Sequence, residues 1–313
     1  MVAGLVVLLA ACSSSKGPYP AREIKLIVQA SPGGLSDSVS RIIASLMERK
    51  LGVPVVCENK PGAAGALAFS YVTRQAPDGY TIGHASVEIA MVRTLGFADV
   101  GPDDMDLLCL VSKAQPVLAV HADSPWTTFS GFVEAVRKRP GYYVMGNSGT
   151  GSIWHINALL MERETGLRLI HCPFGGSSAA LTALLGRHVD GVVAGAGEVA
   201  PHVKAGRLRV LAVFDKSRSK LFPDVPAVTE QGYEFGVPAW SGFYAPKRLP
   251  SERERMLVRA IRAAFDGEKF QKLCRQRGMD PVFLAGEQFR SFAAGQAAFF
   301  KTTIPKLLGG ARQ

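Results

Sequence analysis

The residues best suited to chemistry in this 313-residue chain are hydroxyls set among glycines. They cluster in three places: "QASPGGLSD", "GNSGTGSIWH" and "PFGGSSAAL". In each, an apolar run meets a Gly/Ser/Thr loop and then a helical pattern. Glycine lets the backbone approach a ligand closely. The first N–H groups of the following helix lack internal partners, and the helix dipole favours negative charge there. The hydroxyls of Ser31, Ser36 and Ser38, then Ser148, Thr150 and Ser152, then Ser177 and Ser178 add donors. This is the grammar of an anion cradle. A phosphate loop would need G-K-[ST], and no lysine follows Gly33 and Gly34. A carboxylate needs less. Charge-assisted hydrogen bonds contribute roughly 1.5–3 kcal/mol each, and a helix dipole adds ~0.3–1 kcal/mol. Two or three such loops reach micromolar affinity, ~8 kcal/mol, without an arginine. For one loop, the turn chemistry of any parallel α/β fold is explanation enough. Three of the same character point to binding.

Catalytic readings fit less well. Ser36 or Ser152 with His155 and Asp37 supplies the residue types of acyl transfer. No G-x-S-x-G elbow is present, and Asp37 and His155 flank separate loops. Neither H-E-x-x-H nor C-x-x-C occurs, so no metal, redox site or cofactor is expected. The reading is therefore not an enzyme. Asp37 either orients its loop, meets an amino or hydroxyl group of a ligand, or serves as a first-turn helix acid. His155 either donates to a ligand or sits satisfied behind its loop. Asp190 is either a further ligand contact or a turn residue.

These loops need elements to hold them. "EIKLIVQA", "GVPVVCENK" and "YTIGHAS" read as strands, and Val39, Ile42, Ile43, Leu46 and Met47 recur at helical spacing between the first two. "LCLVSKAQPVLAVHADS" reads as one long extended run. A second block follows: helix "FSGFVEAVRKRPG", strand "YYVMGNSGTGS", and helix "IWHINALLMERETG" with Gly166 as its stop. Alternation of strand and helix predicts an α/β fold with mainly parallel sheets. The loops then fall at the carboxyl ends of strands, the edge where ligands bind.

Hydrophobic residues make up 47% of the chain and charged residues 20%, the balance of a globular protein. The formal net charge of +10 is compatible with nucleic acid, an acidic membrane or an anionic small molecule. Lys and Arg are dispersed, and no compact basic run marks a nucleic-acid arm, so no nucleic acid is expected. At the N-terminus "MVAGLVVLLAAC" has signal-peptide length, too short to span a bilayer. It ends in "LAAC" before a Ser-rich linker, as a bacterial lipobox does, with Cys12 as the lipidated residue, although no Lys or Arg precedes the apolar run. No later segment reaches ~18 apolar residues. Cys57, Cys109, Cys172 and Cys274 allow three pairings or none.

Taken in order, "YPAREIKLIVQASPGGLSDSVSRIIA", "GVPVVCENKPGAAGALA", "APDGYTI", "GTGSIWH", "LLGRHVDG", "AGRLRVLAV", "FPDVPAVTEQG" and "WSGFYAP" resemble the solute-binding proteins of tripartite tricarboxylate transporters, the Bug family. The resemblance runs from about Tyr19 to Leu308. It implies a two-domain periplasmic-binding-protein fold, a type II-like Venus flytrap with two hinge-crossing strands. Domain 1 would comprise 19–120 plus 240–313, and domain 2 would comprise 121–239, after a signal peptide and linker over 1–18. Crossings are expected at Val117–Val120 and Trp240–Ala245. The resemblance implies capture of a small organic carboxylate through backbone N–H groups, hydroxyls and bridging waters. The family's motifs fall on Pro32, Gly33, Gly34 and Asp37; on Ala85 and Ser86; on Gly149, Thr150, Ser152 and His155; and on Pro173, Phe174, Gly175 and Gly176. With Ser31, Ser36, Ser148, Gly151 and Asp190 these make the expected ligand-binding set. Phe174 stands where many relatives have Tyr, and "VVAGAGE" is small where many are polar, so an aromatic or branched acid suits the cleft better than citrate. The implied protein is a monomeric periplasmic lipoprotein that serves membrane permease subunits. The alternatives are a sensor subunit docking a kinase and, less favoured, a Ser-dependent hydrolase.

Overall fold

The computed structural model describes residues 18–309. In chain order the first strands and helices are β1 (Ile24–Val28), α1 (Leu35–Leu51), β2 (Val55–Asn59), α2 (Ala66–Thr73), β3 (Thr81–Ser86) and β4 (Met105–Ala114). Next come β5 (Pro116–His121), α3 (Phe129–Lys138), β6 (Val144–Asn147), α4 (Ile153–Thr165), β7 (Ile170–Pro173), α5 (Ser177–Leu185), β8 (Gly191–Gly195), α6 (Ala196–Lys204) and β9 (Leu208–Val213). The chain closes with β10 (Ala239–Pro246), α7 (Ser251–Asp266), α8 (Glu268–Arg277), β11 (Met279–Ala285) and α9 (Glu287–Gly309).

The strands form two sheets, each the centre of one lobe. The first is ordered β11-β4-β10-β3-β1-β2 and the second β7-β6-β8-β5-β9. In the first lobe Leu26 and Val28 of β1 are fully buried, as are Val39, Ile43 and Met47 of α1. Those helix positions are four apart, so they form one stripe against the sheet. The helix stops at Gly52, whose left-handed backbone (φ 73°) sends its N–H to the Glu48 carbonyl at 2.8 Å. In the second lobe α3 buries Phe129, Phe132, Val133 and Val136. Phe129 also stacks edge-on against Phe214 and Tyr233 of the segment returning to the first lobe.

The pairing is more mixed than strand–helix alternation predicts: four strand pairs are parallel and five antiparallel. The reason is the connection between lobes. β4 runs out of the first sheet and straight into β5 of the second, and β10 returns, so these strands oppose their neighbours. The expected change of domain at 120/121 needs correction. Val120 and His121 both pair with β9 inside the second sheet. The passage is Gln115, the single residue between β4 and β5. The return passage is the segment 214–238, which ends at β10. The two passages are tied together: the Gln115 side chain donates to Asp215 at 3.0 Å and to the Ser217 carbonyl at 3.2 Å.

Cys57, Cys109, Cys172 and Cys274 are all free thiols. No helix among the described residues is long and apolar enough to cross a membrane. Cys12 and the signal-like run lie outside the described residues.

Candidate functional site: a cleft of helix ends between two lobes

Between the lobes lies a cleft of about 660 Å³. The first lobe contributes the β1–α1 loop, the turn after β2, the end of β3 and the start of β10. The second contributes the β6–α4 loop, the β7–α5 loop and Glu198 of α6.

The β1–α1 loop turns on Gly33, whose φ of 83° favours glycine. Gly34 is the N-cap of α1, and no side chain caps the helix. Asp37 fixes the loop from behind. Its Oδ2 accepts the Gly33 N–H at 2.9 Å and Arg41 Nε at 2.9 Å, and its Oδ1 accepts Asn59 Nδ2 at 2.9 Å. Burial raises the affinity of that carboxyl for a proton, but the bonds from Arg41, Gly33 and Asn59 outweigh it and hold the group below the usual carboxylate range. Asp37 is thus consumed in shaping the loop. Gln29 donates to Ser36 Oγ at 3.0 Å, while Ser38 bonds back to the Gly34 carbonyl at 2.9 Å.

The β6–α4 loop carries left-handed backbone at Gly149 (φ 124°) and Gly151 (φ 77°). Asn147 Oδ1 accepts the Gly149 N–H at 3.0 Å. Ser152 caps α4, its Oγ accepting the His155 backbone N–H at 3.2 Å. The His155 ring accepts the Gly151 N–H through Nδ1 at 3.1 Å and stacks edge-on against His171, with ring centroids 5.0 Å apart. Burial first, then the His171 charge, pushes its pKa down to about 4. His155 therefore serves the loop as a neutral acceptor. One further acceptor arrives from the opposite lobe: Glu88 Oε1, in the turn after β3, takes the Ile153 N–H at 3.1 Å. The free end of α4 is thus filled by the protein's own carboxylate.

The β7–α5 loop differs. Gly176 (φ 156°) is the N-cap of α5, and no side chain caps that helix. Ser177 and Ser178 occupy its first positions, and all three face the cleft. The Ser31 hydroxyl reaches across from the first lobe to the Gly175 carbonyl at 3.3 Å.

The structure brings Ser31, Gly34, Ser36, Ser86, Ser148, Gly149, Thr150, Ser152, Phe174, Gly175 and Gly176 together on the cleft wall. Gly33 and Gly151 turn the loops without lining it, and Asp37 and His155 brace them from behind. Asp190 corrects an expectation. It precedes β8, at the sheet end away from the loops, and its carboxylate accepts the Val144 N–H at 2.7 Å. It ties two strand starts and does not line the cleft.

The cleft also contains residues the sequence reading did not single out. Gln29, Glu88, Phe97, Trp154, Glu198, Trp240 and Ser241 line it, as does the turn Pro61–Gly65. That turn obeys the same strand–glycine–helix grammar as the other loops, and so was findable. Its Gly62, Ala63, Ala64 and Gly65 all have positive φ, at 135°, 47°, 50° and 88°. Left-handed backbone at alanine is strained and concentrates at functional sites. Glu88, Phe97 and Trp240 carried no local signal, because packing between lobes is what brings them to the wall. Ser86, Trp240 and Gln29 are each less than 8% exposed, and Ser86 Oγ, Trp240 Nε1 and Gln29 Oε1 have no hydrogen-bond partner. The lining includes no Lys, Arg or His.

Two α/β lobes joined by paired passages, with helix ends converging on the gap, define a bilobed solute-binding protein of the periplasmic, type II-like kind. The chain belongs to the tripartite tricarboxylate transporter family receptor group, whose family model matches residues 39–308. It is 31% identical over 301 residues to a UPF0065 protein of Bordetella pertussis, spanning 94% of this chain and 92% of that one. A TctC solute-binding protein from Polaromonas, solved with no ligand, shares 30% identity over 92% of this chain and 99% of its own, with a TM-score of 0.73. An R. palustris protein solved with adipate shares 25% identity over 93% of this chain and 98% of its own, with a TM-score of 0.85.

Proposed function

We propose that this protein captures a small organic carboxylate in the periplasm and delivers it to the permease subunits of a tripartite tricarboxylate-type transporter, tethered to the membrane through lipid on Cys12. One observation carries the binding reading: the uncapped N-termini of α1 and α5, each bearing serines, face one cleft from opposite lobes. A carboxylate held there collects backbone N–H groups, hydroxyls and two helix dipoles. The unpartnered Ser86 hydroxyl and Trp240 N–H supply further donors. Closure of the lobes would follow binding. Contacts already bridge the lobes at Ser31–Gly175 and Glu88–Ile153. In keeping with a closed arrangement, the fit is better to the adipate-bound relative (0.85) than to the more similar ligand-free one (0.73).

The geometry favours a binder over a hydrolase. Ser152 Oγ accepts a backbone N–H, the His155 Nδ1 is taken by Gly151, and Asp37 is bound to Arg41 in the other lobe. No Ser–His–Asp relay links them.

A thermal-shift screen of mono-, di- and tricarboxylates tests the reading. At 100 times its Kd a ligand adds ~2.7 kcal/mol of stability, so at least one acid is expected to raise Tm by several degrees. A screen in which only neutral sugars or nucleotides stabilise the protein would refute it.

A further inference from the structure

Of the two second-lobe helices whose loops face the cleft, α5 presents a free end and α4 does not. Glu88 crosses from the first lobe and places its carboxylate on the Ile153 N–H, in the first turn of α4. A second acid, Glu198, lines the same wall; it is held by the Gly195 N–H at 3.1 Å and by Ser177 at the start of α5, and burial pushes its carboxyl up. With no basic side chain in the lining, the cleft is locally acidic inside a chain of net charge +10. The remaining wall is aromatic: Phe97, Trp154, Phe174 and Trp240. The buried, unpartnered Gln29 Oε1 adds an acceptor without adding a donor. The cleft therefore has two unlike ends. Donors without bases gather at α1 and α5, and the Glu88 carboxylate stands by α4.

We infer that Glu88 sets specificity, selecting a ligand with one carboxylate, an apolar or aromatic body and a cationic ammonium group, and rejecting a second carboxylate. The inference rests on the carboxylate reading above and names its substrate class. The carboxylate lies against α1 and α5, and the ammonium faces Glu88. A dicarboxylate must either displace Glu88 from Ile153 or place like charges together, which weakens it relative to the zwitterion.

Calorimetry with a matched series tests this. Phenylalanine, 3-phenylpropanoate, benzylmalonate and phenylalaninamide share one body and differ only in their heads; leucine, 4-methylpentanoate, isobutylmalonate and leucinamide form a parallel aliphatic series. In the wild type the amino acid is expected to bind about tenfold or more tighter than its desamino acid, with the malonate weakest. Glu88→Gln keeps an acceptor for Ile153 and removes the charge. It should cut amino-acid affinity about tenfold, leave the desamino acid within about twofold, and improve the malonate. An unchanged melting temperature checks that the variant is folded. If Glu88→Gln fails that check, the wild-type ranking within each series decides. A wild type that binds the malonate best, a Glu88→Gln protein with the wild-type ranking, or no binding by either amino acid would each overturn the inference. The amide separates the two readings. If it binds as well as the acid, the carboxylate reading fails while the Glu88–ammonium pairing stands. If simple acids bind and neither amino acid does, only the inference fails.

Discussion

The cleft loops are held in shape by buried polar side chains that do not themselves face the cleft, and His155 shows what that implies for pH. Its ring accepts the Gly151 N–H and is pushed down to about 4 by burial and then by His171, from an ordinary value of 6.5. The unfolded chain therefore binds a proton between pH 6.5 and 4 that the folded chain refuses. Stability is complete above the unfolded value and falls as pH drops through that window, by on the order of 3 kcal/mol in all. Protonation would also remove the acceptor for Gly151, so ligand affinity should fall over the same range. Urea unfolding between pH 7 and 4 checks this. Wild-type stability should decline, and His155→Gln, which cannot titrate, should start lower and show a flatter profile. An equal slope in both proteins would remove His155 from the account. Asp37 works in the same sense, at lower pH. Its carboxyl is held low, so its stabilising contribution persists until pH falls below the ordinary carboxylate range.

At the scale of elements, glycines decide how the lobes fit. Gly197, at the start of α6, lies against the Arg277 backbone at the end of α8, so that a methyl group would overlap the Arg277 carbonyl. This is a contact between lobes, beside the passage where Ala196 bonds to Gln115 at 3.0 Å. Gly197→Ala should act as a wedge at the pivot. We expect a loss of roughly 1–3 kcal/mol, read as a Tm lower by several degrees, together with weaker ligand binding because closure is impeded. Gly295→Ala, inside α9 with open space around it, provides the opposite sign: stabilisation of ~0.5–1 kcal/mol with binding untouched. If both substitutions behaved alike, crowding at the pivot would not be the cause. Much of this scale was legible in the sequence. The β1–α1, β6–α4 and β7–α5 loops announce themselves through glycine, hydroxyl and helical period, all local signals. What local signals omit is where the chain changes lobe. "LCLVSKAQPVLAVHADS" reads as one extended run, and only pairing partners show that Ala114 belongs to one sheet and Pro116 to the other. Asp190 was misplaced for the same reason: its type suits a ligand contact, but it stands at the wrong end of β8. Glu88 was missed because its partner Ile153 is 65 residues away.

On the scale of the whole molecule, charge is divided between surface and cleft. The chain carries 36 Lys and Arg against 26 Asp and Glu, yet Glu88 and Glu198 are the charged residues of the cleft wall. Attraction of an anion over distance and retention of it once bound therefore come from different parts of the protein. The basic exterior raises the local concentration of carboxylates and steers them inward, a long-range effect open to salt screening. In the proposed binding mode, retention depends on short hydrogen bonds at α1 and α5, where screening is weak. This separation makes a kinetic prediction. Raising ionic strength from about 0.01 M to 0.15 M shortens the Debye length from ~30 Å to ~8 Å. The association rate for a monocarboxylate should drop by a factor on the order of ten, while the dissociation rate changes by less than about twofold. Stopped-flow tryptophan fluorescence can follow both, because Trp154 and Trp240 line the cleft. A neutral amide analogue should show no salt dependence in its association. If salt instead accelerated dissociation, retention would rest on an exposed ion pair, and the helix-end account of binding would be wrong.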